Sequence, residues 1–402
     1  MIKIEYTNEI ISRHKKYFKE NILQNFSVAG QDCPDIFPPN HSDFLTYCAD
    51  HWETLATGTF GELKIIDEEI NDQFRDVLEV FRRDRKSPYR KVLLDIFGYS
   101  DFCRNDIFEY LRKIAKTQAP EIQESCPNVL QRIKNILRAL FPEHISEIEK
   151  LNVDSSKEAF GKEVRKLDFL IFTDKNFPKA EILKDHWNDY IFVLMSGVRV
   201  CPYCNRQYIS PVYSVNGKVR GDIDHFLPRS VYPYFSMSLY NLIPVCKSCN
   251  QALKRDRAFN FDNLNPLVDS LDDYFTFRAD LITNEISIEP SLEKWDKIKE
   301  HIETFKLKPL YNYHQNQVGE LLKKHVIYTD RYIDELIETH TGIFPSKEHV
   351  KQLIFGVTYD KKRLNEEAFH KLRRDIDTQL NLLINQNSDQ ISKLKEILIT
   401  KI

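Results

Sequence analysis

Two cysteine pairs of identical spacing mark the middle of the chain, Cys201-Pro202-Tyr203-Cys204 and Cys246-Lys247-Ser248-Cys249. Each Cys-x-x-Cys turn presents two thiolates from one tight loop, and two such turns complete the tetrahedral four-sulfur shell that holds Zn²⁺. A closed shell leaves no position for water, so an ion bound there is structural and adds folding free energy to a segment with little core of its own. Between the pairs lie an adjacent carboxylate and imidazole, Asp224 and His225, and then Asn241; Asn250 directly follows the last cysteine. A zinc ribbon that only binds a partner accounts for the cysteines and leaves these four residues without a role.

The elements that must position them follow from pattern. Val219 to Ile223 reads as a short strand ending at the Asp-His pair, and Gln251 to Phe259 reads as a helix opening at Asn250. The aromatic run Tyr232 to Tyr240 precedes Asn241 and reads as loop packed into the core beneath the zinc. A strand, a second strand after a loop, and a helix would bring Asp224, His225, Asn241 and Asn250 together over the metal.

At these residues the chain resembles the HNH endonuclease family, whose fold is the ββα-metal motif. The matching features are CPYC, then DIDHFLP, NLIP and CKSCN, with Leu264 to Pro266 similar to the end of the module in some bacterial members. The resemblance spans about Val198 to Pro266. It implies that His225 is the general base that deprotonates the attacking water, and that Asp224 and Asn250 are ligands of a catalytic divalent ion. It implies that Asn241 braces the loop and orients His225, and that Cys201, Cys204, Cys246 and Cys249 are the structural zinc set. A carboxylate with an amide oxygen is a hard donor set, which favours one Mg²⁺ or Mn²⁺ over zinc at the catalytic position. Arg229, Lys247, Lys254 and Arg255 are candidates for holding the flanking phosphates of a DNA, or alternatively RNA, substrate. The chain is also similar to HNH subunits of bacterial anti-phage systems of the Septu type, which implies a separate ATPase partner. The alternative is a non-catalytic, zinc-stabilised scaffold that binds nucleic acid or protein.

Charge distribution agrees with a local phosphate surface. The chain as a whole carries −3, but residues 201–260 hold eight cations against three anions, and the remainder is acidic. With 42% hydrophobic and 12% aromatic residues, a chain of 402 residues is expected to fold into two or three domains. We expect a mostly α protein with a small α+β insert: helices over 1–195, the HNH module over 196–268, then a β-hairpin and helices over 269–402. Phe74, Val77, Leu78 and Phe81 recur at helical spacing, as do Trp295, Ile298, Ile302 and Phe305, and Tyr332, Ile333, Leu336 and Ile337. Tyr274 to Pro290 alternates around a turn at Asn284, and Glu366 to Ile402 reads as one long helix and a shorter one, broken near Asn385 to Asp389. The basic run Arg82 to Lys91 reads as a solvated helix end.

Eight cysteines in so long a chain do not make a disulfide scaffold, and Cys33, Cys48, Cys103 and Cys126 read as small buried hydrophobes. No GxxxxGK[ST] loop or GxGxxG is present, so this chain is not expected to bind or hydrolyse a nucleotide itself. No apolar run reaches membrane-spanning length and the start lacks a signal-peptide pattern, which makes the cytoplasm the expected location, away from the membrane.

Overall fold

The structure, a computed structural model, describes residues 3–29, 37–170, 185–214, 217–255, 257–291, 293, 295–386 and 396. The chain is mostly helical, with three small two-stranded sheets among the described residues. It divides into two compact units: an N-terminal unit of Tyr6–Gly197 and Ser210–Ile243, and a C-terminal unit of Met1–Glu5, Val198–Ile209 and Pro244–Ile402. Within 198–268, residues 198–209 and 244–268 belong to the C-terminal unit and 210–243 to the N-terminal one. None of the described helices is long and apolar enough to cross a membrane.

Helices of the N-terminal unit start where local chemistry asks them to. Thr59 and Glu62 form a reciprocal capping box at Phe60–Gln73, and Ser87 caps Pro88–Ile96 with proline in its first turn. The helix Arg75–Arg83 buries Val77, Leu78 and Phe81, each contributing roughly 1.5–3 kcal/mol of transfer free energy. A second cluster forms around Phe108, Leu111, Ile133, Leu137, Phe160 and Val164. Gly98 precedes the helix Tyr99–Arg104 at φ +68°, and an added Cβ would meet Ile22 at 3.2 Å; a residue without one fits best there.

Against these helices lies the segment that carries Asp224 and His225. β1 (Val212–Ser214) pairs antiparallel with β2 (Gly217–Val219). β3 (Asp222–His225) shares a sheet with β4 (Leu242–Val245), whose first two residues belong to this unit. The strand at the Asp-His pair thus begins at Asp222 rather than Val219. The loop from β3 to β4 is gripped at many points. His14 Nε2 donates to the Met237 carbonyl at 2.8 Å, Tyr6 Oη to that of Leu242 at 2.5 Å, and Tyr234 Oη to Asp67 at 2.5 Å. Phe60 meets Phe226 edge-on at 5.6 Å. The basic run Arg82 to Lys91 is not wholly solvated: Arg90 is buried and donates to the Phe81 and Ser230 carbonyls, because its planar fork satisfies two loop ends at once.

In the C-terminal unit, β5 (Phe275–Ala279) and β6 (Ile286–Pro290) form the expected antiparallel hairpin, with Asn284 in its turn at φ 63°. The Phe277 amide donates to Asp375 at 2.9 Å and the Ala279 amide to Gln379 at 3.0 Å, so side chains of the helix His370–Gln386 serve the strand as a neighbour would. A buried network of Asp272, Lys371, Arg374 and Asp375 reinforces the junction.

Several expectations differ from the structure. The last long helix starts at His370, not Glu366, because Phe369 takes a left-handed φ of 64° and turns the chain; most of the expected break, residues 387–389, lies outside the described residues. Trp295 begins its helix 40% exposed while Ile298 and Phe305 are fully buried, so the apolar face is shorter than its spacing suggests. Tyr332 is likewise exposed beside a buried Ile333. Cys48 is fully buried, whereas Cys103 and Cys126 are only partly so, and Cys33 lies outside the described residues. The helix expected over 251–259 is instead Ser248–Lys254, wound as a π-helix in which the Arg255 amide reaches the Asn250 carbonyl at 2.9 Å. It ends at Arg255 with φ 51°.

Candidate functional site

The first knuckle is a turn closed by the Asn205 amide on the Cys201 carbonyl at 2.8 Å, and it sits on a short bridge pairing Val200 with Tyr208. Asn205 takes φ 49°, a conformation asparagine tolerates better than most residues. Its side chain then bonds Leu364 at 3.0 Å and Lys371 at 3.3 Å, and its carbonyl accepts from Phe369 at 2.8 Å. His301 donates to the Tyr203 carbonyl at 2.9 Å and Tyr311 to that of Cys204 at 2.7 Å, while Tyr203 stacks on Phe305 at 4.4 Å. Burial holds His301 down at about 4, so it is a neutral donor. In the second knuckle, the Cys249 amide points at the Cys246 sulfur at 3.4 Å.

The two knuckles, both in the C-terminal unit, bring four buried sulfurs within 4.8 Å of one another. Tetrahedral zinc with bonds of about 2.3 Å requires sulfurs about 3.8 Å apart; Cys204 and Cys246 are separated by 3.9 Å. Burial pushes the Cys201 thiol well above its ordinary range, a cost that a divalent cation offsets by favouring thiolate. The quartet fits a structural zinc ion in donor type, number and spacing.

In the N-terminal unit, Asn241 is fully buried and organises the loop that follows His225. Its Oδ1 accepts from the Leu227 amide at 2.7 Å, and its Nδ2 donates to the carbonyls of Leu227 at 3.0 Å and Phe235 at 2.9 Å. Its backbone carbonyl accepts from Phe226 at 3.0 Å. Asparagine alone among residues of this size offers one acceptor and two donors in a plane, and an aspartate would turn an oxygen toward two carbonyls.

His225 is partly exposed at the end of β3, and its Nε2 lies 2.9 Å from the Ser236 carbonyl. A carbonyl only accepts, so Nε2 carries a ring proton. Tyr99 meets the ring edge-on at 4.4 Å, and the guanidinium of exposed Arg229 lies 5.3 Å from the Tyr99 centroid. Behind them, buried Asp189 pairs with Arg220 at 2.6 Å. Asp224, the neighbour of His225, is buried.

The structure therefore gathers Asp224, His225, Asn241 and Arg229 in one unit, and the four cysteines, Asn250, Lys247, Lys254 and Arg255 in the other. Lys247 and Arg255 are exposed and Asn250 is partly exposed. Lys254 is not a surface cation: it is fully buried, with Nζ 5.0 Å from the Phe259 centroid, because the π-helix turns its stem inward. Tyr99 and Ser236 were missed as site residues. Ser236 acts through its backbone carbonyl, which leaves no mark on residue type, and the only local hint at Tyr99 is the glycine before it.

No family model matches the chain, and no solved structure does. Protein ea31 of Escherichia phage lambda is similar, with 25% identity over 174 residues that cover 40% of this chain and 52% of ea31. The chain thus spans about half the length of that curated relative.

Proposed function

We propose that this protein is a metal-dependent nuclease of the HNH type that hydrolyses phosphodiester bonds with His225 as general base. The observation that carries the proposal is the orientation of the His225 ring. Its Nε2 donates to the Ser236 carbonyl, so in the neutral tautomer Nδ1 is the basic nitrogen, the role a general base requires. The Asn241 brace holds the loop that supplies that carbonyl, and Arg229 lies over Tyr99, the ring that meets the imidazole. The resemblance assigns Asp224 as a ligand of one Mg²⁺ or Mn²⁺, which when bound would supply Lewis-acid charge at the phosphate. Lys247 and Arg255 remain phosphate-binding candidates and Lys254 does not. DNA is the favoured substrate, with RNA as the alternative arm of the test. The further step, to a bacterial anti-phage effector with an ATPase partner, rests on the resemblance of the central segment.

A catalytically silent zinc scaffold is the second reading. The π-wound Ser248–Lys254 favours it, since it departs from the α-helix of a ββα-metal motif. Plasmid, single-stranded DNA and RNA incubated with Mg²⁺ or Mn²⁺, with a chelator control, separate the two. The nuclease proposal expects metal-dependent cleavage by the wild type and none by His225→Ala at unchanged fold and zinc content. The scaffold reading expects binding without cleavage from both.

A further inference from the structure

The C-terminal unit contains a buried polar chain that the proposed nuclease chemistry does not use. His325 closes the helix Gln315–Ile327, and Asp377 and Asn381 lie one turn apart on His370–Gln386. His325 Nε2 donates to one oxygen of Asp377 at 2.8 Å. The other oxygen accepts from Asn381 at 2.9 Å and from the hydroxyl of Tyr359. His325 is 7% exposed and Asp377 2%, and the imidazole stacks on Phe355 at 4.4 Å.

A staple that merely joined two helices would end inside the core. This one ends at a cavity of about 360 Å³, which His325 lines together with Arg331, Lys351, Asn381 and the ring of Phe355. With Nε2 held by Asp377, the ring atom that can address a ligand is Nδ1. Asp377 fixes the orientation of the ring and so the direction in which Nδ1 faces. Two cations line the cavity: Lys351, paired with Asp330 at 2.8 Å, and the exposed Arg331, paired with Glu335 at 3.1 Å. The ten-residue helix Asp330–Thr339, capped by Thr329, also begins at this wall and adds its N-terminal dipole. Ile333, Phe355 and Ile384 add apolar surface to the lining.

We propose that this cavity is a second binding site, for a small oxyanion carried on a flat or apolar body, the class to which nucleoside monophosphates belong. His325 is its central recognition group, Lys351 and Arg331 bind the oxyanion, and the apolar wall receives the body. The volume falls at the lower end of the range for small-molecule sites, which suits a single mononucleotide rather than a strand. The site is independent of His225 and of cleavage.

Calorimetric titration of the full-length protein with AMP and dTMP, inorganic phosphate, and the uncharged nucleosides tests this, with the imidazole resonances of His325 followed in parallel. The expected result is nucleotide binding that moves the His325 signals. Both Lys351→Gln and His325→Asn should weaken it at least tenfold, and the nucleosides should bind at least tenfold more weakly than their monophosphates. The Lys351→Gln change leaves the buried His–Asp pair in place, so it remains informative where His325→Asn fails to fold. Nucleotides that leave His325 unmoved, or bind Lys351→Gln as tightly as the wild type, would overturn the site.

Discussion

At the cysteine knuckles, four sulfurs and a ring of backbone-directed hydrogen bonds from Asn205, His301 and Tyr311 stand in for a hydrophobic core. At the Asp224–His225 loop, no residue pattern of that kind exists. The loop is shaped by the amide of Asn241 and pressed against helices through Phe226, Tyr234 and Met237. Neighbouring stretches of one sequence thus differ in what they offer, one a four-sulfur cluster that could hold a cation and the other packing and buried hydrogen bonds. On the proposed function, metal content and the geometry at His225 should respond separately to substitution.

The largest effect should come from removing the metal. Structural zinc sites contribute on the order of 10 kcal/mol of binding free energy at neutral pH. Cys246→Ala is expected to drop zinc from one ion per chain to none. Amides of 198–209 and 244–255 should lose hydrogen-exchange protection while those of Asn8–Asn21 keep theirs. Equal loss in both units would erase the distinction drawn here.

Next comes the brace. Asn241→Ala strands the Leu227 amide and the Leu227 and Phe235 carbonyls, each costing about 1–3 kcal/mol when buried without a partner. Denaturant unfolding should show a loss of about 3 kcal/mol or more with zinc content unchanged. A loss below about 1 kcal/mol would mean that the loop is held by something else.

Acid sharpens the contrast by a smaller amount. Burial lowers His14 and His186 in the N-terminal unit, and His301 in the C-terminal unit, to about 4. A histidine whose folded pKa lies below its unfolded value near 6.5 stabilises above that value, and the contribution is lost as pH falls from about 6.5 toward 4. Each can remove up to about 3 kcal/mol over that window. Helices around His14, His186 and His301 should each therefore lose exchange protection between pH 7 and 5, a loss set by burial and not by metal content. Protection around these rings that does not change with pH would contradict their burial.

The four-cysteine cluster was legible because Cys-x-x-Cys is a local signal: residue type and spacing suffice, whatever the rest of the chain does. The β5–β6 hairpin and the buried face of Arg75–Arg83 were legible for the same reason, since alternation and helical periodicity are read within a few residues. What escaped depends on contacts distant in sequence. Lys254 looks like any surface lysine until the π-wound turn buries it over Phe259. Tyr99 reaches His225 only because helices far upstream pack on the loop, and Ser236 contributes an atom that every residue possesses. The sharing of 196–268 between two units is likewise a product of long-range packing, invisible to spacing.

The smallest effect is expected at Tyr99. Replacing it by leucine removes an aromatic pair of about 1 kcal/mol, enough to loosen the imidazole without unfolding the unit. Cleavage should fall several-fold at unchanged substrate affinity, and the His225 ring resonances should shift. A change in affinity alone would assign Tyr99 to substrate contact instead.

Chemical rescue addresses the central claim most directly. Wild type should cleave nucleic acid with Mg²⁺ or Mn²⁺, and His225→Ala should be slower by about 10²–10⁴, the range for loss of a general base. Added imidazole should restore part of the variant's activity and leave the wild type unaffected. Cleavage by His225→Ala at the wild-type rate, or no cleavage by the wild type with either metal on any of the three substrates, would contradict the account.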